Sequence, residues 1–222
     1  MRKFLLAMAL LCSAIWAQPS ESDFGQWPRS YFASLGFNVI ATRGDFAERN
    51  VRLKDKDGLI ETINFPITKV LMSPDYNIGV NIREFTLAAS FQYWSMMGTI
   101  KELPTEEKMR YWRFGIEFTY NFFYPEPFQV GVGLGYSYTS LSVQNNATSI
   151  RGFADSDLMG SALALVTNMK YFLTDNIGLC PSLRIYENWF TAAHTKEAGT
   201  QDLKSYVWQT YIAVSINAFV QF

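Results

Sequence analysis

Arg113, Glu117, Lys170 and Arg184 are the charges in this chain best placed to act together. Each is isolated between apolar neighbours, as in Trp112-Arg113-Phe114, Ile116-Glu117-Phe118, Met169-Lys170-Tyr171 and Leu183-Arg184-Ile185. In an extended chain successive side chains point to opposite faces, so these charges lie on the face their neighbours avoid. If that face is enclosed, the charges need partners of opposite sign. Glu117 stands seven residues before Tyr124 and Arg184 seven after Ile177. Both of those residues flank turn sequences, so the acid and the base are expected at similar depth. The chemistry they predict is an internal ion pair, serving either a structural network or a gated pore.

Other chemical groups are poorer in partners. His194 is the single histidine; a hydrolase arrangement of Ser, His and acid needs a nucleophile within reach, and no serine follows it closely. One imidazole is also too little for a soft metal site. Arg43-Gly44-Asp45 spells an adhesion tripeptide but reads equally as a Gly-Asp turn. Asp55-Lys56-Asp57-Gly58 has too few acids at suitable spacing for calcium. Gly131-x-Gly133-x-Gly135 lies inside an alternating segment and opens no helix, so it is no dinucleotide loop. Asn146-Ala-Thr is a sequon in letters only. No catalytic residue, metal or cofactor is expected.

The elements that hold these groups show in the alternation. Apolar side chains recur at every second position in eight segments: Tyr31–Ala41, Val70–Ile82, Phe85–Tyr93, Trp112–Phe122, Phe128–Tyr138, Leu163–Tyr171, Ile177–Ile185 and Tyr206–Phe222. Period two over such lengths means strands. Three connections are tight, at Arg83-Glu84, Tyr124–Pro127 and Thr174–Asn176. Four are longer and polar, at about 43–69, 95–109, 144–159 and 190–204. The first of these contains a second alternating pattern around Asp57-Gly58, a hairpin signal. It is expected to protrude from the main sheet; entry into the sheet would give ten strands.

The composition decides which face meets what. Hydrophobic residues make up 49% and aromatics 16%, against 18% charged. No stretch beyond the N-terminus approaches the roughly 20 apolar residues of a membrane helix. The polar face carries Gly, Ser, Thr, Asn and Gln instead of the Lys and Glu that solubilise a water-facing sheet. The apolar face carries no charge within these limits, and its first exception is Glu187. A charge on a lipid-facing strand costs roughly 2–4 kcal/mol at mid-membrane, which explains the exclusion. Aromatic rings cluster at both ends: Tyr124, Phe128, Tyr171 and Phe222 by the short turns, and Tyr93, Trp112, Tyr138, Trp189 and Trp208 toward the long connections. The reading is an apolar face in lipid and a polar face in a narrow lumen. A soluble lipocalin-like barrel, with the apolar face inward, is the rival.

The opening MRKFLLAMALLCSAIWA has a basic start, an apolar stretch and a small-residue end, the pattern of an export signal. Cleavage is expected after Ala17, with Ala14 as the alternative. Leu11 before Cys12 is too bulky for a lipoprotein signal. Residues 18–29 are then a short periplasmic segment and 30–222 the barrel. The mature chain would carry 17 basic against 20 acidic residues, which excludes a nucleic-acid surface. Cys180 would be its one cysteine, so no internal disulfide can form.

The last segment ends in a terminal Phe222 with Val220 and Ile216 on the same face. With the signal and the eight alternating segments, the chain resembles the small eight-stranded outer-membrane barrels of the OmpA/OmpX type. The resemblance covers about 30–222 and is architectural. It implies an all-β, up-and-down antiparallel transmembrane barrel, located in the outer membrane of a Gram-negative-type cell. It also implies Ile216, Val220 and Phe222 as the mark read by the outer-membrane assembly machinery, with membrane lipid as the other partner and a monomer as the assembly. The expected role is structural or surface interaction through the four long connections, with a side-chain-filled lumen and no enzymatic activity. A narrow channel for ions or small solutes and a membrane-embedded lipid enzyme are the alternatives.

Overall fold

The computed structural model describes residues 29–44, 50–54, 60–64, 71–99, 106–124, 126–144, 156–195 and 199–222. Every described element is a strand or a turn. In chain order the strands are β1 (Arg29–Gly44), β2 (Asn50–Lys54), β3 (Ile60–Asn64), β4 (Leu71–Ile82), β5 (Phe85–Thr99), β6 (Glu106–Phe122), β7 (Phe128–Gln144), β8 (Ser156–Phe172), β9 (Ile177–Thr195) and β10 (Gly199–Gln221). Eight of them close into one antiparallel barrel in the order β1-β10-β9-β8-β7-β6-β5-β4. Each strand pairs with its sequence neighbour, and β1 closes on β10 with Phe32 opposite Gln221 and Gly44 opposite Gln209.

Hairpin β2–β3 forms its own two-stranded sheet, with Val51 opposite Ile63. It stands within the first long connection and outside the barrel, so the count is eight and not ten. The expected turn at Asp57-Gly58 lies outside the described residues, as do the export signal, the sequon and the segment before Arg29. The turn between β4 and β5 holds Arg83 at φ 52°, the left-handed conformation that matches a two-residue hairpin to the twist of its strands.

The long connections are shorter than their polar sequences suggest. The ladder of β5 continues to Thr99 and that of β6 starts at Glu106, where 95–109 reads as a loop. Likewise β8 begins at Ser156, β9 runs to Thr195, and β10 restarts at Gly199. A transmembrane strand needs about 9–11 residues, whereas β10 has 23 and β9 has 19. The surplus rises on the long-connection side, where backbone pairing persists without the lipid that imposes alternation.

The apolar face points outward around the whole barrel. Phe37, Leu134, Tyr136, Ile116, Val214 and Ile216 each expose more than half of their surface, Leu134 as much as 68%. A continuous exposed apolar surface of this kind is a lipid interface. The lipocalin-like arrangement, with the same residues inside, is thereby overturned. Glu187, the outward exception, accepts hydrogen bonds from Trp208 Nε1 at 2.7 Å and from Thr210 Oγ1. That local satisfaction places a carboxylate beside an interfacial tryptophan.

Candidate functional site

The lumen is the one place where buried charge, polar side chains and space meet among the described residues. An eight-stranded barrel has an interior just wide enough for side chains to fill, and here it is filled in three layers.

The middle layer is ionic. Arg184 on β9 reaches across the barrel, its Nε 3.0 Å from each oxygen of Glu117 on β6. Its Nη1 lies 3.0 Å from Asp75 Oδ2 on β4 and also donates to Ser182 at 2.7 Å. Arg113 has Nη1 3.7 Å from Glu117 Oε1. Its other partners are Gln92, Ser90 and Ser137, and its guanidinium lies 4.3 Å from the centre of the Tyr186 ring. Asp75 also accepts from Asn217 Nδ2 at 2.7 Å and from Asn77 Nδ2. All four charged groups are at least 95% buried, so each is held by a mesh of charge-assisted bonds rather than by water.

Of the four charges singled out from sequence, the structure therefore brings three together: Arg113, Glu117 and Arg184. Lys170 stands apart, in the lower layer. Asp75 joins the cluster and was missed as a partner. It lies on the polar face of its strand seven residues before Ile82, a spacing like those of Glu117 and Arg184, and that signal would have found it.

The upper layer, toward the long connections, is aromatic and apolar. Trp94 stacks on Tyr111 at 5.2 Å between ring centres, Tyr111 meets Tyr211 at 5.3 Å, and Tyr211 meets Tyr186 at 5.4 Å. Met109, Leu141, Leu158, Val207 and Phe190 pack around them, every one at 2% exposure or less. The Tyr111 hydroxyl donates to Asn188 at 3.0 Å. This plug occupies the face that carries Ser, Gly and Asn lower down.

The lower layer is polar and opens between the short turns. Lys170 Nζ donates to Asn81 Oδ1 at 2.8 Å and Thr86 Oγ1 at 2.7 Å. Asn121 donates to the same Thr86 and to the carbonyl of Glu84. Below them a vestibule of about 560 Å³ is walled by Ser30, Asn81, Arg83, Tyr124, Gln129 and Gln221, among others. The row of glycines on β7 makes room for these layers. A Cβ on Gly135 would lie 3.2 Å from Glu117 Cγ, and one on Gly131 would lie 2.4 Å from Asn168 Oδ1.

On the outside, the register sets Ser142, Asp157 and His194 in one cross-strand row, with Thr200 next to His194. The Ser142 hydroxyl donates to Asp157, and His194 Nδ1 lies 3.0 Å from Thr200 Oγ1. The carboxylate, not the imidazole, holds the serine, and no ion pair joins Asp157 to His194. That order does not activate a nucleophile. Arg43 and Gly44 pair with Thr210 and Gln209 in the barrel ladder; Asp45 lies outside the described residues. Ile216, Val220 and Phe222 point outward into the lipid-facing surface.

No protein-family model matches the chain, and no characterised protein matches it in sequence. Solved structures match it by fold. Neisserial surface protein A aligns at a TM-score of 0.55 and 14% identity, over 86% of this chain and 97% of that one. The attachment invasion locus protein Ail of Yersinia pestis, in complex with the heparin analogue sucrose octasulfate, aligns at 0.52 and 9%, over 87% and 99%. The outer membrane protein OprG of Pseudomonas aeruginosa aligns at 0.52 and 12%, over 89% and 98%. The chain has the eight-stranded architecture of outer-membrane β-barrels.

Proposed function

We propose that this protein is an outer-membrane barrel whose body is a closed scaffold and whose role is structural or surface interaction. The observation that carries this reading is the upper layer of the lumen. Trp94, Tyr111, Tyr186, Tyr211 and Phe190 are each at most 3% exposed, and they stand between the polar lower lumen and the outside. An ion passing them would shed its hydration in an apolar constriction. The surplus strand length beyond the membrane supports presentation of the four long connections to external partners. A barrel of this build does bind a partner in one solved case, where Ail carries a heparin analogue.

In this reading residues 1–17 direct export, the segment from residue 18 to the start of β1 remains in the periplasm, and Ile216, Val220 and Phe222 present the terminal strand to the assembly machinery. The protein acts without a cofactor and as a monomer. Planar-bilayer recording tests the closed body. The folded protein is expected to insert without unitary conductance, while retaining the cold-versus-boiled gel shift of a closed barrel. Reproducible single-channel steps from the wild-type protein would overturn the reading in favour of a narrow channel.

A further inference from the structure

The charges enclosed in the lumen do not cancel. Among the described residues the buried charged groups are Asp75, Arg113, Glu117, Lys170 and Arg184, three cations against two carboxylates. The arginines hold both carboxylates. Lys170, only 7% exposed, is left with two neutral acceptors, Asn81 and Thr86, and the Phe32 ring 5.5 Å away. An enclosed ammonium without a counter-charge is costly.

Between Lys170 and Arg184 lies a cavity of about 40 Å³, walled also by Thr119, Asn168, Cys180 and Asn217. A water needs roughly 10–15 Å³ of such space, so the cavity has room for a few waters or for one halide-sized ion. Thr119 is 3% exposed and lines this cavity, and its hydroxyl has no hydrogen-bond partner. Two of the three N–H bonds of Lys170 are used, leaving one to donate. Glu117 also borders the space, but both of its oxygens are engaged by Arg184 Nε.

We propose that this cavity binds a small monovalent inorganic anion of chloride size, held by Lys170 and the Thr119 hydroxyl and completing the charge balance of the lumen. The vestibule between the short turns lies on the Lys170 side of the cavity. Asn81, which accepts from Lys170, lines that vestibule, so the vestibule is the open space nearest the site. Cys180 lines the cavity as well, and a thiolate there would be a counter-charge built into the chain.

The test uses the folded mature protein in zwitterionic detergent, with the unfolding midpoint read by heat-modified gel mobility. Sodium chloride is compared with sodium gluconate at equal ionic strength. Chloride ten-fold above its Kd is expected to raise the wild-type midpoint by about 3–6 °C. Lys170→Met is expected to lose the difference between salts. Crystals of the wild-type protein soaked in bromide are expected to show an anomalous peak in this cavity, which tests the site even if the lysine variant fails to fold. Equal wild-type midpoints in the two salts, no bromide peak, or a chloride effect that survives Lys170→Met would each overturn the proposal. Equal wild-type midpoints with a salt difference appearing only in Cys180→Ser would overturn it in favour of the thiolate.

Discussion

Replacing Glu117 with glutamine removes the one group that both buried arginines share, while keeping the shape and an acceptor oxygen. In the wild-type lumen Arg184 Nε sits 3.0 Å from both Glu117 oxygens, and Arg113 Nη1 lies 3.7 Å from one of them. After the change Arg184 keeps Asp75 at 3.0 Å, but Arg113 has only neutral partners. The enclosed cluster also gains one unit of positive charge. Breaking a buried pair by removing one partner costs roughly 3–5 kcal/mol. The surviving Asp75 contact holds the expected loss to the lower end, about 3 kcal/mol, or some hundred-fold in the folded-to-unfolded ratio. Urea titration of the refolded protein in detergent, read by cold gel mobility and tryptophan emission, measures this. The Arg184→Gln variant and the double variant complete a cycle. Because the two residues share one contact, the double variant is expected to lose less than the sum of the singles, by at least about 1 kcal/mol. A single-variant loss below about 1 kcal/mol, or additivity of the two, would refute the account of the middle layer as the brace of the barrel.

The upper layer makes a different prediction: Trp94→Ala combined with Tyr211→Ala empties the centre of the ring stack and is expected to produce bilayer conductance where the wild type is expected to show none, while an unchanged silent trace would show that the constriction lies elsewhere. Gly135→Val places branched carbons where a Cβ alone already lies 3.2 Å from Glu117 Cγ and 3.3 Å from Ala164 Cβ; overpacking of this kind costs roughly 1–3 kcal/mol, and urea titration that finds Gly135→Val as stable as wild type would contradict the tight packing of β7. Phe222→Ala leaves the lumen untouched, so it is expected to slow assembly into outer membranes without changing the urea midpoint of protein refolded in detergent. Equal assembly rates in a membrane-insertion assay would remove the terminal ring from the assembly signal.

What the sequence makes legible follows from where physical environments contrast. Between the membrane interfaces one face of each strand meets lipid and the other meets the lumen, so Phe114, Ile116 and Phe118 alternate cleanly with Arg113, Gly115 and Glu117. The faces of all eight barrel strands can be read from that contrast. The proximity of Glu117 and Arg184 is legible for a related reason. Every short turn lies at the same rim, so counting residues from the turns measures depth even for strands on opposite sides of the barrel. Asp75 sits at a matching count from its own turn, between Pro74 and Tyr76 on the outward face, so the same count of depth locates it.

The aromatic plug was hidden because there the contrast vanishes. Tyr111 between Arg110 and Trp112, or Leu141 between Ser140 and Ser142, points inward while its neighbours lie near the upper interface, where rings and polar groups are equally at home. Alternation weakens, and the alternating segments stop at Trp112 and Tyr138 although the ladder continues past them. The same stretches determine whether the barrel conducts, since the plug is assembled from the inward residues of β5, β6, β7, β8, β9 and β10. Each of these strands contributes a single large side chain or two, and no local run of sequence spells the constriction. A closed lumen is thus a property of the register: shifting any one strand by a residue would send Trp94, Tyr111 or Tyr211 into lipid and bring its outward neighbour inside. The ionic layer beneath guards against that slip. Arg184 on β9, Glu117 on β6 and Asp75 on β4 meet only when three separated strands are all in register, so the charges that brace the barrel also fix the alignment that closes it.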